Sequence, residues 1–364
     1  SMSKAAELAN LIGNINAGSP LANRNLVHNG AMLVNQRGSA AITLSGLTPH
    51  IDRFTAFKSN GGAQTVEQST DGPEGFKNSL KATNTTADAS VASGDRVAII
   101  YRCEGQHISH LEWGTANAKT LTLSFYVKSS ITGTHGGAFG NGSDNRAYPF
   151  TYTISSADTW ERKSITVAGD TTGTWAIDNT RSLQVCWGLG VGTTNSGSAG
   201  AWEAADRNSA TGATTGFLTT LNATWFLTGV QLEIGQNATA FEHEPFAETL
   251  AKCGRYYQLI ASGTNKAIAT GPEYNSSTAQ LSTDYPLGAM RDAPSIDQVN
   301  GGDYYLWHGG GVSSGIDGAF TIEHATTVRA SFYATPDATV SSDGQARYLK
   351  TNNSAAYFAF KSEL

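Results

Sequence analysis

The chain has 364 residues, room for two domains and a sizeable core. Charged residues make up only 15%, with Gly, Ser, Thr, Asn and Ala filling the difference, a balance that suits an extracellular β protein with long polar loops better than a cytosolic enzyme. A formal net charge of −6 attracts neither nucleic acid nor an anionic membrane, and the chain has no apolar run of about 18 residues for membrane insertion and no basic-then-apolar leader.

Lys4 to Asn16 reads as a short helix in which Ala5, Leu8, Ile12 and Ile15, spaced three, four and three apart, form a heptad seam. A lone helix of this length is marginal in water and must dock on something. Three copies around an axis would bury the seam, and so would folding back on its own domain. Residues 1–22 are thus an N-terminal helix with a linker of loop-forming composition, AGSPLAN.

A β domain is expected over 23–244. It opens with NLVHNGAMLVNQRG (25–38), followed by Asp52, Arg53 and Phe54. Arg37 and Arg53 suit structural ties to carboxylates or carbonyls better than anion binding. Alternating strands follow: Val97, Ile99, Tyr101 and Cys103, then Leu121, Leu123, Phe125 and Val127, then Leu183, Val185, Trp187 and Leu189. Turns such as Gly140 to Asn145 separate them and no helices alternate with them, which argues a β-sandwich rather than a parallel sheet. In the closing strand, Phe226, Thr228, Val230 and Leu232 fall on one face and Trp225, Leu227, Gln231 and Glu233 on the other.

Gly190 to Gly216 interrupts this pattern with a long Gly, Ser, Thr, Ala and Asn segment carrying Trp202, Glu203, Asp206 and Arg207. Loops this long inside a compact domain are usually functional or disordered. Two readings of Trp202 stand. Its indole could stack on a sugar ring while Glu203, Asp206 and Arg207 bond the hydroxyls, or it could tether the loop to the core or to a neighbouring subunit.

Pro245 suits the first position of a connecting helix over 245–258, with Phe246, Leu250, Cys253 and Tyr257 as its apolar stripe. Residues 259–364 read as a second, smaller β domain. In it Tyr305 and Trp307 share one strand face while Tyr304, Leu306 and His308 share the other, so one face is core and the opposite one exposes aromatics. Gly309 to Gly311 breaks that strand, and Ala319 to Ile322, Thr327 to Tyr333 and Tyr357 to Phe360 supply others.

The stretch GVQLEIGQNATAFEHEPFAETLAKCGRYYQ resembles the segment that closes the main β domain in many bacteriophage tail-fibre proteins. Gly229 to Glu233, Gly235, Ala238, Thr239, Phe241, Glu242, Cys253 and Arg255 to Tyr257 carry the pattern. The opening motif at 25–38 with Asp52-Arg53-Phe54, the segments CEGQHISHLEWGTANAKTLTLSFYVKSS and DTWERKSITVAGDTTGTWA, YPLGAMRDAP and the terminal AYFAFKSEL are similar to the same family; between the last two the likeness fades. The resemblance implies a jelly roll related to carbohydrate-binding modules. It also implies a virion component made in the host cytoplasm, held by other tail or baseplate proteins and acting at the host cell surface. Its fibres are typically trimers, which favours the three-fold reading of Ala5, Leu8, Ile12 and Ile15.

Other chemistry is sparse. Cys103, Cys186 and Cys253 are odd in number and far apart, without C-x-x-C spacing, and fit buried free thiols. Gly311 to Gly315 matches G-x-S-x-G but lacks the strand-then-helix setting of a nucleophile elbow. His107 and His110 lack a partner set for a metal, and the scattered Asp144, Asp170 and Asp206 could form a glycosidase pair or hold a structural calcium. The expected fold is therefore mainly β: an N-terminal helix, a jelly-roll sandwich, a connecting helix and a smaller C-terminal β domain. The expected function is a non-enzymatic, homotrimeric, cofactor-free attachment protein for bacterial surface polysaccharide or lipopolysaccharide. The alternatives are a tailspike-like depolymerase, against which the absence of a β-helix repeat counts, and a purely structural tail component. Trp202, Glu203, Asp206 and Arg207 compete as the receptor site with Tyr304, Tyr305, Trp307 and His308, and the outward-facing end of a fibre favours the terminal set.

Overall fold

A computed structural model of the protein describes residues 3–18, 20, 22–275, 278–309, 312–316, 318–337 and 346–364. The chain divides into two compact units, one running to residue 249 and including 364, the other covering 250–363.

The first unit begins with α1 (Lys4–Asn16), whose N-terminus is capped by Ser3 accepting the Ala6 N–H at 3.2 Å. Its heptad seam stays open, with Leu8 57% and Ile12 49% exposed. The helix is nonetheless tied to its own unit at its last turn. Asn14 is fully buried and donates to Asn237 O at 2.7 Å and Glu233 Oε2 at 3.2 Å. A polar side chain makes this attachment, on a helix whose apolar seam was the visible signal.

The strands of this unit are β1 (Ile42–Thr43), β2 (Gly46–Pro49), β3 (Phe54–Ser59), β4 (Ala63–Ser69), β5 (Ser79–Thr86), β6 (Arg96–Glu104), β7 (Leu121–Ser129), β8 (Gly133–Asn141), β9 (Ala147–Ile154), β10 (Glu161–Val167), β11 (Arg181–Val191), β12 (Ser196–Gly197), β13 (Ser209–Ala210) and β14 (Thr224–Ile234). A four-residue helix, α2 (Gly105–Ile108), follows β6, and α3 (Gly216–Thr219) precedes β14. Two six-stranded antiparallel sheets result, ordered β1-β4-β5-β14-β7-β10 and β2-β3-β6-β11-β8-β9. The chain passes repeatedly from one sheet to the other, as in a jelly roll. Leu121, Leu123, Phe125 and Val127 from the first sheet meet Val97, Ile99, Leu183, Val185 and Trp187 from the second in one core.

One face assignment is overturned. The register of β14 shifts between Thr228 and Gln231, so two residues of β14, Gly229 and Val230, stand against one of β7, Phe125. Gly229 adopts φ +59°, and a Cβ there would come within 2.8 Å of both Phe76 and Tyr126. The bulge reverses the alternation: Trp225 and Leu227 are in the core together with Val230, Leu232 and Ile234, while Gln231 and Glu233 join Phe226 and Thr228 on the other face.

That reversal explains the closing motif. Gln231 Nε2 donates to Glu233 Oε1 at 2.9 Å and Thr239 Oγ1 at 3.0 Å, and Gln231 Oε1 accepts the Glu242 N–H at 2.8 Å. Glu233 accepts the Thr239 N–H at 2.9 Å and its hydroxyl at 2.7 Å. Arg24 donates to Thr239 Oγ1 and Ala240 O, and Glu242 accepts the N–H groups of Asn23 and Asn25. Asn25 in turn bonds Val230 O and the Leu232 N–H. The opening and closing motifs thus tie the two ends of the sandwich together. Arg53 is structural as well, held at φ +74° and donating to Arg102 O.

Helix α4 (Phe246–Gly254) carries the chain into the second unit, and it is shorter than the 245–258 span expected: Tyr257 opens β15 (Tyr257–Ser262) instead of completing the apolar stripe. Gly254 ends the helix, where a Cβ would meet Leu287 Cβ at 2.5 Å. At the other end of the stripe Phe246 is 56% exposed. The remaining strands are β16 (Ala267–Asn275), β17 (Thr278–Asp284), β18 (Ser295–Gln298), β19 (Tyr305–Gly309), β20 (Val312–Ile316), β21 (Thr321–Ala325), β22 (Arg329–Ala334), β23 (Ala346–Thr351) and β24 (Tyr357–Lys361). They form a seven-stranded sheet, β20-β19-β23-β16-β17-β22-β21, and a three-stranded one, β15-β24-β18. Tyr305, Trp307, Leu281, Phe332 and Leu349 of the larger sheet share a core with Phe358 and Phe360 of the smaller.

Candidate functional site

The segment after β11 is pinned at several points. Thr193–Asn195 makes a turn of 3-10 helix, β12 pairs with β13 in parallel, and Glu203 exchanges both backbone hydrogen bonds with Ala147. Trp202 donates its indole N–H to Ala168 O at 2.8 Å. Its ring meets Trp113 and Trp175 edge-on at 5.3 and 5.6 Å, and those two rings contact each other at 4.7 Å. Of the two readings of Trp202, this packing is that of a tether: its polar atom is spent and its ring is wedged between two others. Glu203 and Arg207 pair at 3.3 Å, and Arg207 also donates to Thr194 O, which fixes the loop internally. Sequence reading missed Trp113 and Trp175 as the partners because both lie in segments distant from Trp202.

Asp206 goes elsewhere. It lines a cleft of about 170 Å³ on the outer face of the second sheet, together with Phe57, Arg96, Ile100, Arg102, Asp144, Arg181, Gln184 and Asn208. Strand alternation builds the floor. Where Val97, Ile99 and Trp187 point inward, Ala98, Ile100 and Cys186 point outward and cluster with Phe57. Arg96 lies over the Phe57 ring at 4.3 Å and donates to Asn208 Oδ1 at 2.7 Å, with Asp206 Oδ2 at 3.4 Å. Across the cleft Arg181 reaches Asp144 at 2.5 Å, Gly142 O at 3.1 Å and Gln184 Oε1 at 3.2 Å.

Each charged group therefore has a neighbour that fixes its orientation, while the Asp144 and Asp206 side chains remain 43% and 36% exposed. Burial, then the Asp144 charge, push the Asp206 carboxyl above the usual carboxylate range, against the pull of Arg96. Forked donors and carboxylate acceptors held over an apolar floor are the groups that recognise a polyhydroxylated ligand. The sequence flagged Asp144 and Asp206 among scattered acids, and the fold brings them into one cleft. Asp170 is not part of it: Arg146 grips it with two bonds of 2.7 and 2.8 Å. Burial alone would raise the Asp170 carboxyl, yet Arg146 and Thr172 hold it below its ordinary value.

In the second unit the aromatic strand is corrected. Tyr305 and Trp307 are 1% and 0% exposed, and Tyr305 donates its hydroxyl to Tyr357 O at 2.5 Å. They are core residues and offer no surface to a receptor. His308 lies on the opposite face, where its ring meets Tyr348 at 5.3 Å and its Nδ1 bonds Ser313 Oγ at 2.5 Å. With Thr270, Gly271, Pro272 and Arg347, His308 and Tyr348 line an open cleft of about 430 Å³. Tyr304 is half-buried and packs against the core. The G-x-S-x-G match has Gly311 outside the described residues, and Ser313 lies within β20, a strand paired along its length with β19, so it occupies no elbow.

All three cysteines are buried and outside any disulfide, and burial pushes the Cys103 and Cys186 thiols up to about 12. Among the described residues no group of three or more His, Cys, Asp and Glu side chains could hold a metal, and no helix is long and apolar enough to cross a membrane.

No protein-family model matches the chain, and no curated protein matches it. Solved structures with a similar arrangement include the enzymatically active domain of tailspike protein 4 from bacteriophage CBA120, at 12% identity and a TM-score of 0.31 over 58% of this chain and 21% of that one. The family 11 carbohydrate-binding module from Clostridium thermocellum, solved with a mixed-linked β-1,3-1,4 tetrasaccharide, aligns at 11% identity and a TM-score of 0.27 over 57% of this chain and 99% of that one. TmCBM61, solved with β-1,4-galactotriose, aligns at 7% identity and a TM-score of 0.30 over 58% and 99%. These likenesses are too distant to transfer a function.

Proposed function

We propose that the chain is a receptor-binding protein of a bacteriophage tail fibre that attaches the virion to a bacterial surface glycan without cleaving it. The observation that carries this reading is the cleft of Arg96, Asp144, Arg181, Gln184, Asp206 and Asn208 over Phe57 and Ile100. It is shallow, polar at the rim and apolar at the floor, which suits weak binding of one or two sugar units. The motif resemblance supplies the viral context, and trimerisation would raise avidity without new contacts.

Changing Arg96 or Arg181 to Ala is expected to lower affinity for purified envelope polysaccharide by about 1.5–3 kcal/mol, roughly ten- to a hundredfold, as for other charge-assisted hydrogen bonds. Titration of the intact protein with lipopolysaccharide and capsular polysaccharide reads this directly, and binding equal to the parent in both variants would remove the cleft from the account.

Assembly is tested separately. The open seam of Leu8 and Ile12 on α1 predicts about three chains per particle by light scattering, reduced to one when both residues become Lys. A monomeric parent at micromolar concentration would contradict it.

The depolymerase alternative draws on one observation: Asp206, raised, and Asp144, paired with Arg181, line the same cleft in unlike environments. Unequal carboxylates of this kind divide into acid and base in glycosidases. On that reading Asp206→Asn would abolish the release of reducing ends from the polysaccharide, whereas attachment alone releases none from the parent.

A further inference from the structure

The seven-stranded sheet of the second unit turns Trp307, Leu349, Leu281, Phe332 and Ile316 to its core. The residues that alternate with them define its other face, and their pairing is unusual. Ser313 stands opposite His308, and His308 opposite Tyr348. Tyr348 is paired with Thr270, and Thr270 with Ser282. Ser282 is paired with Ser331, and Ser331 with His324. Directly opposed residues share a face, so one residue from each of the seven strands falls in a single row perpendicular to them. Its length is six inter-strand spacings of about 4.8 Å, roughly 29 Å. The bulge in β21 between Ile322 and His324 is what brings His324 into line.

Every member of the row carries a hydroxyl or an imidazole. On a solvent-facing sheet Lys, Glu and Arg are commonplace; this row has none. Two open clefts of the unit, about 430 Å³ each, lie along it, one at Thr270, His308 and Tyr348 and the other at Ser331 and His324. Of the charges beside the row, Arg329 pairs with Asp284 at 2.6 Å, while Glu323 and Lys350 are held by the neutral amides of Gln280 and Asn265 at 2.7 and 3.0 Å. A row without Lys, Arg, Asp or Glu, with a line of donors and acceptors and a 37% exposed tyrosine, complements an extended chain that is itself uncharged and rich in hydroxyls.

We propose that this row is a binding track for an uncharged linear polysaccharide lying across the strands, with Tyr348 as its stacking surface. It is a site separate from the sandwich cleft and does not depend on that reading. The test uses the full chain and length series of neutral β-glucan and galactan oligosaccharides, with a polyuronate of matched length as the charged control. Affinity is expected to climb with chain length until the row is filled, and the polyuronate to bind at least tenfold more weakly. Ser282→Lys places a long cation at mid-row on an exposed position and should abolish the gain with length; Tyr348→Ala should cost about tenfold. Arg96→Ala should leave this binding unchanged. The proposal is overturned if no neutral oligosaccharide binds, if affinity does not depend on length, or if both row variants bind like the parent. It is equally overturned if Arg96→Ala alone removes the binding, which would assign it to the sandwich cleft. A change in light-scattering mass in Ser282→Lys, with no change in glycan affinity, would show the face to be covered by a second copy and would also refute it.

Discussion

Glu233→Ala is expected to destabilise the sandwich by about 3–5 kcal/mol, the range for breaking a buried, hydrogen-bonded charge pair. The side chain is fully buried and is the common acceptor for Gln231, Thr239 and Asn14, with Arg24 3.9 Å away. Removing it leaves the Thr239 N–H and hydroxyl, the Gln231 amide and a largely buried guanidinium with fewer acceptors, each carrying its own desolvation cost. Because Asn14 loses a partner as well, the last turn of α1 should loosen at the same time. Denaturant unfolding of the full chain, followed by circular dichroism, reads the loss of stability; an unchanged midpoint would mean that the motif does not close the domain.

Trp307→Ala should be comparably severe in the second unit, about 3–5 kcal/mol, because it empties a fully buried site in the core of the seven-stranded sheet. Tyr348→Ala, on the exposed face, should stay within about 0.5 kcal/mol of the parent. The contrast separates packing from recognition. If Trp307→Ala melts like the parent but binds glycan poorly, the core assignment is wrong and the aromatic strand faces the ligand after all.

Much of the architecture is legible in the sequence because strand alternation is a local signal. Leu121 to Val127 and Leu183 to Leu189 present one apolar face each, and both faces are core. The signal fails where a non-local feature decides the face. Nothing around Gly229 announces the bulge except the glycine, and one extra residue moves Val230 and Leu232 to the opposite side. On β19 both faces carry aromatic residues, so period alone cannot say that Tyr305 and Trp307 are inside and His308 outside. The sandwich cleft was legible only in fragments. Asp206 stood out in its loop and Asp144 in its turn, but Arg96 and Arg181 look like ordinary strand ends until the sheet aligns them. The row across the terminal sheet was invisible, since it depends on the registers of six strand pairs and on no contiguous motif. Asn14 was hidden for a simpler reason: on a helix read for its leucine and isoleucines, a single asparagine looks like solvent-facing filler, whereas it is fully buried against Glu233 and Asn237.

The central claim is attachment to a surface glycan without cleavage, and one experiment bears on it most directly. The intact protein is incubated with purified envelope polysaccharides, and retention and chain length are measured in the same samples. The double variant Arg96→Ala, Arg181→Ala and the single variant Asp206→Asn are run beside it. The account predicts that the parent retains a polysaccharide at its original length, and that the double variant loses retention while keeping the parent's melting behaviour. Shortened polysaccharide with the parent and intact polysaccharide with Asp206→Asn would contradict it and establish cleavage instead.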